Sequence, residues 1–296
     1  MTLADDLAVV RTSSGAARVA RDVVRVHGPE AVTYLQGQLS QDVAAMAVGA
    51  SAPTFVLQPQ GKVDVWMRAT RTADDAFVLD TDAGWADSLV ARLARFRLRT
   101  KVEIDRLDWS MVSVRGPSAD APAGAADHVV VAVTGRRGVP GGWDVLGADP
   151  AMPAGVPQVD AEVLEVLRIE SLVPRMGAEI DETTIPAETG MVDASVSFTK
   201  GCYTGQELVA RVDSRGGRAP RRVVHLVWDG APQHAPGTPL LVDGTEVGRL
   251  TSVASDGGGG SVALGLLARS VEVPCTVDLG AGVGARVDAE GTAPAP

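Results

Sequence analysis

Beyond Gly216-Gly217 and Pro220 the sequence breaks into short apolar runs: Arg222 to Trp228, Pro239 to Val242, Glu246 to Thr251, Val262 to Leu267 and Cys275 to Leu279, with turn signals between them. Strands this short cannot bury their own faces in one open layer, so the segment must close into a separate small β-barrel or sandwich. Asp243-Gly244 is a strong two-residue hairpin signal. Gly257 to Gly260 reads as a flexible loop tip, and the Gly/Ala/Pro tail from Glu290 as frayed.

The part before this boundary mixes helices and strands. Val23 to Val26 is a strand, broken by Gly28-Pro29 before a helix over Glu30 to Gln38, in which Val32, Leu35 and Leu39 recur at helical spacing. Thr54 to Leu57 and Val63 to Ala69 flank Pro59-Gln60-Gly61-Lys62 as a hairpin. Phe77 to Asp80 is a strand, Trp85 to Phe96 an amphipathic helix, and Lys101 to Ile104 a strand again. Further strands fall at Met111 to Val114, Val129 to Val133 and Trp143 to Leu146, separated by loops such as Pro117 to Ala126. Ala148 to Pro157 reads as a subdomain connector, and Asp160 can cap a helix running through Ser171 and ended by Pro174. The expected class is α+β, without the regular alternation of a doubly wound fold. No internal repeat indicates a solenoid.

At 296 residues, 45% hydrophobic and 22% charged, the chain has ordinary globular composition and room for two or three cores. A formal net charge of −10 argues against a general nucleic-acid coat, so an anionic ligand must be met by a local basic patch. The two cysteines, Cys202 and Cys275, are far apart and the histidines stand singly at 27, 128, 225 and 234, so no metal site of the chain's own is expected. Met1 to Arg11 does not read as a signal peptide, and no apolar stretch approaches a membrane span. A cytoplasmic, reducing setting without membrane or direct nucleic-acid contact is the expectation.

Lys200-Gly201-Cys202-Tyr203-Thr204-Gly205-Gln206-Glu207 presents one of those cysteines on a glycine-flanked turn opening into a helix. Thr204 and Glu207 have capping-box spacing, which predicts a helix start near Gly205. Cys202 then precedes the positive end of a helix dipole and stands two residues from the Lys200 ammonium, both of which favour thiolate. The competing reading is a buried, inert cysteine beside a tight turn.

On the helix from Asp160, Glu170 follows Val163 by seven, Val166 by four and Leu167 by three, so it lies in the apolar stripe, where a carboxylate is costly unless something bonds it. It either pairs with a nearby arginine or caps backbone amides, or it accepts hydrogen bonds from a buried heterocycle with adjacent ring N–H and amino donors. Periodicity alone favours the structural reading. Two basic clusters could seat an anionic tail: Arg92, Arg95 and Arg99 with Arg97 and Lys101, and Arg211, Arg215, Arg218, Arg221 and Arg222, diluted by Asp213. Charge runs of this kind are otherwise solvated faces. There is no Walker A loop, no G-x-G-x-x-G after a strand and no G-x-S-x-G elbow, which leaves nucleotide-cofactor enzymes and serine hydrolases unsupported.

The cysteine octapeptide resembles the signature of YgfZ-type folate-binding proteins, bacterial relatives of the mitochondrial iron–sulfur maturation factor. The likeness extends to Val26-His27-Gly28-Pro29-Glu30-Ala31, Tyr34 to Val43, Arg168-Ile169-Glu170, Ile185-Pro186-Ala187-Glu188, and Val247 to Ser252, the last similar to the barrel of glycine-cleavage T-proteins. The resemblance implies a three-domain ring: two interlocked folate-binding subdomains over 1–218, a C-terminal β-barrel over 219–290 and a tail over 291–296. It implies tetrahydrofolate or a one-carbon derivative near the centre, with the pterin on Glu170. Arg168, Arg211 and Arg222 are further candidate folate contacts. A pterin carries the paired donors that a buried carboxylate wants, so the resemblance reverses the reading of Glu170.

The implied role is folate-dependent assembly or repair of iron–sulfur clusters in client proteins, including tRNA-modifying enzymes. In it Cys202 and Lys200 act, and Gly201, Tyr203, Thr204, Gly205, Gln206 and Glu207 complete the motif. A monomer meeting iron–sulfur clients or assembly factors is expected, with no catalytic step derivable. One alternative is a folate-dependent aminomethyltransferase, for which Asp80 and Asp82 lie in the right part of the chain within a segment unlike the T-protein pattern. The other is a scaffold that binds folate and a client without turnover.

Overall fold

The strands of this protein sort into three sheets, and several are buried along continuous runs, as at Phe77 to Thr81 and Ser261 to Leu267. The computed structural model describes residues 2–120 and 128–288. The expected tail over 291–296, the barrel's last residues 289–290 and most of the Pro117 to Ala126 loop lie outside them.

Sequence reading assigns no element before Val23, whereas the chain begins with α1 (Leu3–Thr12), whose Thr2 and Asp5 form a reciprocal capping box, and β1 (Gly15–Val19). There follow β2 (Arg21–His27), α2 (Ala31–Gln38), β3 (Ser51–Leu57), β4 (Val63–Ala73), β5 (Ala76–Asp82), α3 (Ala86–Arg97), β6 (Glu103–Leu107), β7 (Ser110–Arg115), β8 (His128–Val133) and β9 (Gly142–Gly147). Strand β6 starts later than its sequence suggests, because Lys101 is tied to the start of α2: its amide donates to the Glu30 carboxylate and its carbonyl accepts from the Glu30 amide. After α4 (Ala161–Glu170), a 3-10 turn at Pro186–Glu188, α5 (Val192–Ser195) and α6 (Gln206–Asp213) come the barrel strands β10 (Arg221–Asp229), β11 (Pro239–Val242), β12 (Thr245–Ser255), β13 (Gly260–Ala268), β14 (Cys275–Asp278) and β15 (Gly284–Val287). Asp243 and Gly244 turn β11 into β12 with φ of 50° and 74°, as an Asp-Gly hairpin requires.

Strands β3-β4-β5-β2-β6 form one antiparallel sheet and β1-β7-β9-β8 a second. The chain passes between them twice, from β1 into β2 and from β6 into β7, so the two are interlocked. A buried ionic lattice joins them: Arg68 of β4 binds Asp80 of β5 at 2.9 Å and Asp144 of β9 at 2.7 Å, while Arg21 also holds Asp80 and Arg115 also holds Asp144. The guanidinium groups of Arg115 and Arg68 keep the Asp144 carboxyl far below the usual carboxylate range against the cost of its burial.

The third sheet closes as a barrel in the order β10-β13-β12-β11-β14-β15. Its outer face shares a core with the helices, where Leu7 and Val10 of α1 and Val163, Val166 and Leu167 of α4 meet Val223, Val262, Leu264 and Leu266. No described helix is long and apolar enough to cross a membrane.

Candidate functional site: the cysteine loop and Glu170

The cysteine loop is built onto the C-terminal end of α2. Lys200 is buried, and its ammonium donates to the carbonyls of Gln36, Leu39 and Gln41 at 2.6, 2.7 and 2.9 Å. A helix end offers orphan carbonyls to a cation, which is why a lysine placed here is held. Burial pulls the Lys200 ammonium down to about 8. All three of these bonds hold the loop to the end of α2. The Thr204 amide adds a bond to the Gly37 carbonyl at 3.3 Å, and Tyr203 is buried with its ring 5.1 Å from the Lys200 ammonium. Cys202 itself is exposed.

The Thr204–Glu207 capping box does not form. Gly205 is the residue that starts α6, with φ of 82°, and no side chain caps the helix. The box is out of register by one: with Gly205 at the cap, Thr204 lies outside the helix and Glu207 is its second residue rather than its third. A Cβ on residue 205 would lie 2.6 Å from the Gln58 carbonyl and 2.8 Å from Leu57 Cβ, so only glycine lets the loop lie against the β3–β4 turn. Beyond α6, Pro186, Val192, Leu208, Val209 and Val212 line an open groove of ≈ 200 Å³.

Glu170 ends α4, buried as its place in the apolar stripe predicts. One oxygen, Oε1, accepts from Arg11 of α1 at 2.6 Å, and the Glu170 carbonyl accepts from Arg137. Burial raises the Glu170 carboxyl above its ordinary range despite Arg11, with nearby Asp256 adding to the rise. Arg11 was invisible to sequence reading because its partner lies 159 residues away, and no local spacing signals such a pair.

The other candidate residues stand apart. Arg168 spends its donors on Glu165, Glu179, Ser252 and the Val173 carbonyl, and so clamps α4 to β12 of the barrel. Arg211 is exposed on α6, and Arg222 on β10 donates to the carbonyls of Val271 and Arg269. Asp80 is held by Arg21 and Arg68, and Asp82 by Arg21 and the Met176 amide, so neither carboxylate is at liberty to act as a base. Among the described residues, His27, Glu103 and Asp105 gather potential ligand atoms within 4.8 Å of one another, but Asp105 Oδ2 already takes two bonds from the Arg25 guanidinium.

No family model matches the chain. Its fold is that of a glycine-cleavage aminomethyltransferase T from Bartonella henselae, superposing with a TM-score of 0.80 over 97% of this chain and 88% of the other at 19% identity. It is also 30% identical over 239 residues to the iron–sulfur cluster assembly factor IBA57 homologue of Mycosarcoma maydis, covering 74% of this chain and 57% of that one. To the tRNA-modifying protein YgfZ of Vibrio vulnificus it is 29% identical, over 71% of this chain and 70% of that one. The chain thus spans little more than half the length of the assembly factor it matches. The class is an α+β T-protein fold with a closed C-terminal barrel. The chain's sequence relatives thus include IBA57 and YgfZ proteins, and its fold is that of a glycine-cleavage T-protein.

Proposed function

We propose that this chain binds tetrahydrofolate and supports assembly or repair of iron–sulfur clusters in client enzymes, tRNA-modifying enzymes among them, with Cys202 as its working thiol. The observation that carries the reading is an exposed cysteine on a loop pinned by a buried lysine. An inert cysteine would be expected inside, and a loop without function would not need three charge-assisted bonds to fix it. The names of the IBA57 and YgfZ relatives point the same way.

Glu170 suits the pterin. Among the described residues no donor reaches its Oε2, and Arg11, nearly half exposed, can swing from Oε1 to admit the heterocycle's paired N–H groups. When bound, the folate supplies a one-carbon carrier. Glu170 would orient it, while Cys202 would present its exposed thiol to the partner. Arg168 serves this site by position, through its clamp to the barrel, whereas Arg211 and Arg222 remain candidates for the glutamate tail. The aminomethyltransferase reading is weakened by the ion pairs that occupy Asp80 and Asp82.

Calorimetric titration with tetrahydrofolate tests the cofactor, comparing the native chain with Glu170→Ala. Binding by the native chain and its loss in the variant is expected; no binding by the native chain removes the cofactor, and equal binding by both removes the role of Glu170. Cys202→Ala should keep fold and folate affinity but lose support for cluster-enzyme activity in cells that depend on the protein. Full activity in that variant would sink the thiol's role.

A further inference from the structure

Neither the cysteine loop nor Glu170 accounts for the basic segment at the end of α3. From residue 95 it reads Arg-Phe-Arg-Leu-Arg-Thr-Lys, and Arg95, Arg97, Arg99 and Lys101 are all exposed. None of the four forms an ion pair with another described residue, whereas the surface arginines Arg18, Arg25, Arg106 and Arg249 each reach a carboxylate at 2.8 to 3.5 Å. In a chain of net charge −10, carboxylates are plentiful, yet among the described residues none pairs with these four side chains, and the Glu30 carboxylate beside them is taken by the Lys101 backbone amide. Between Arg97 and Arg99, Leu98 is 88% exposed and has a φ of 42°, a left-handed conformation that a leucine enters only at a cost. Backbone strain thus coincides with an apolar side chain held in water.

The segment is rooted beside the cysteine loop. Arg92, one turn earlier, is buried and donates to Asp64, to the Gln38 side chain and to the Leu57 carbonyl. Gln38 is the last residue of α2, the same end that receives Lys200 and Thr204. Phe198, another of the exposed large hydrophobics, stands four residues before Cys202 in a stretch tied to the Ser40 carbonyl through the Ser197 amide. Exposed apolar side chains and unpaired cations therefore border the region that carries the thiol.

We infer that the end of α3, with Leu98 at its centre and Arg95, Arg97, Arg99 and Lys101 around it, is a docking surface for a partner protein whose contact face is acidic around an apolar depression. The charges complement such a face and steer its approach, and Leu98 supplies the desolvated anchor. A single-stranded nucleic acid would seek an aromatic platform, but the Phe96 ring already carries the Arg92 guanidinium at 4.1 Å and that of Arg95 at 5.8 Å. A lipid surface would need an apolar helix face to insert, and one leucine does not make one. The inference does not depend on folate; beside the proposed function it gives a client or assembly partner a place next to Cys202.

The test uses the full chain and a fluorescent amphipathic peptide with a glutamate-rich face and a leucine stripe, with phosphatidylserine vesicles and single-stranded RNA as parallel probes. Saturable, salt-sensitive peptide binding is expected, weakened at least about tenfold by Arg97→Glu with Arg99→Glu and also reduced by Leu98→Ser. Carbodiimide should couple the bound peptide to Lys101, while melting temperature and tetrahydrofolate binding stay unchanged in the variants. Peptide binding indifferent to these substitutions, or coupling that avoids Lys101, overturns the surface. So does binding of vesicles or RNA that depends on the same arginines while the peptide fails to bind.

Discussion

Burial raises the Glu170 carboxyl even with Arg11 in contact, so the ionised form costs the folded chain stability. For an acid whose folded pKa exceeds its unfolded value, the contribution is present at low pH and is lost as pH rises through the folded pKa. Glu170→Gln should therefore lose less stability than the native chain between about pH 4.5 and 7, measured by urea unfolding at several pH values. A native chain with the flatter profile of the two would contradict the assignment. A buried carboxylate with a raised pKa is compatible with the ligand role proposed for Glu170. Lys200 is a parallel case, a charge that burial disfavours, its pKa pulled down to about 8, while three carbonyls hold its ammonium. Lys200→Met leaves those acceptors unmatched and should destabilise the chain by about 1–3 kcal/mol, with faster amide exchange over the cysteine loop. Both effects would be absent if Lys200 served Cys202 chemically and nothing else.

At the scale of elements, sequence and structure part company where tertiary contacts set a boundary. The helix from Asp160 was legible because its cap and apolar stripe are local: the Asp160 carboxylate accepts from the Glu162 amide, and Val163, Val166 and Leu167 are buried. The start of α6 near Gly205 was legible too, but its cap was not, because Gly205 takes a left-handed conformation against the β3–β4 turn, a contact no local spacing encodes. Two substitutions separate the explanations. Gly205→Ala meets both a positive φ and the Gln58 carbonyl, and should cost more than about 1–2 kcal/mol. Thr204→Ala removes no cap and should change stability by less than about 0.5 kcal/mol. Equilibrium denaturation of both gives the comparison, and a large loss in the threonine variant would restore the capping box. The thiol's setting was legible in part: its glycine-bordered turn before a helix was visible, whereas Lys200's partners on α2 were not, being more than 150 residues away.

At the scale of the molecule, the barrel was readable from its short strands and Asp-Gly turn, but its attachment to the rest was not, since that rests on contacts between distant segments. One attachment is the Arg168–Glu179–Ser252 clamp. Another is buried where β10 meets the barrel's end: His225 Nδ1 lies 2.7 Å from Asp288, whose carboxylate has Arg137 at 3.7 Å, and Arg137 in turn donates to the carbonyl of Glu170. Burial lowers the His225 pKa against the pull of Asp288, and the cations Arg137 and Arg286 lower it further. The unfolded chain then binds the extra proton more readily, so folding stability is fully present above the unfolded value near 6.5 and falls as pH drops through it towards the folded pKa. Because His225 sits between the barrel and the end of α4, the loss should be felt where the two join. His225→Gln keeps a donor for Asp288 and cannot titrate. Its melting temperature should decline less than that of the native chain between about pH 7 and 5, and hydrogen exchange in β10 and the last turn of α4 should quicken with acid only in the native chain. Equal acid sensitivity in both would mean that the join is held by the apolar core and the Arg168 clamp alone.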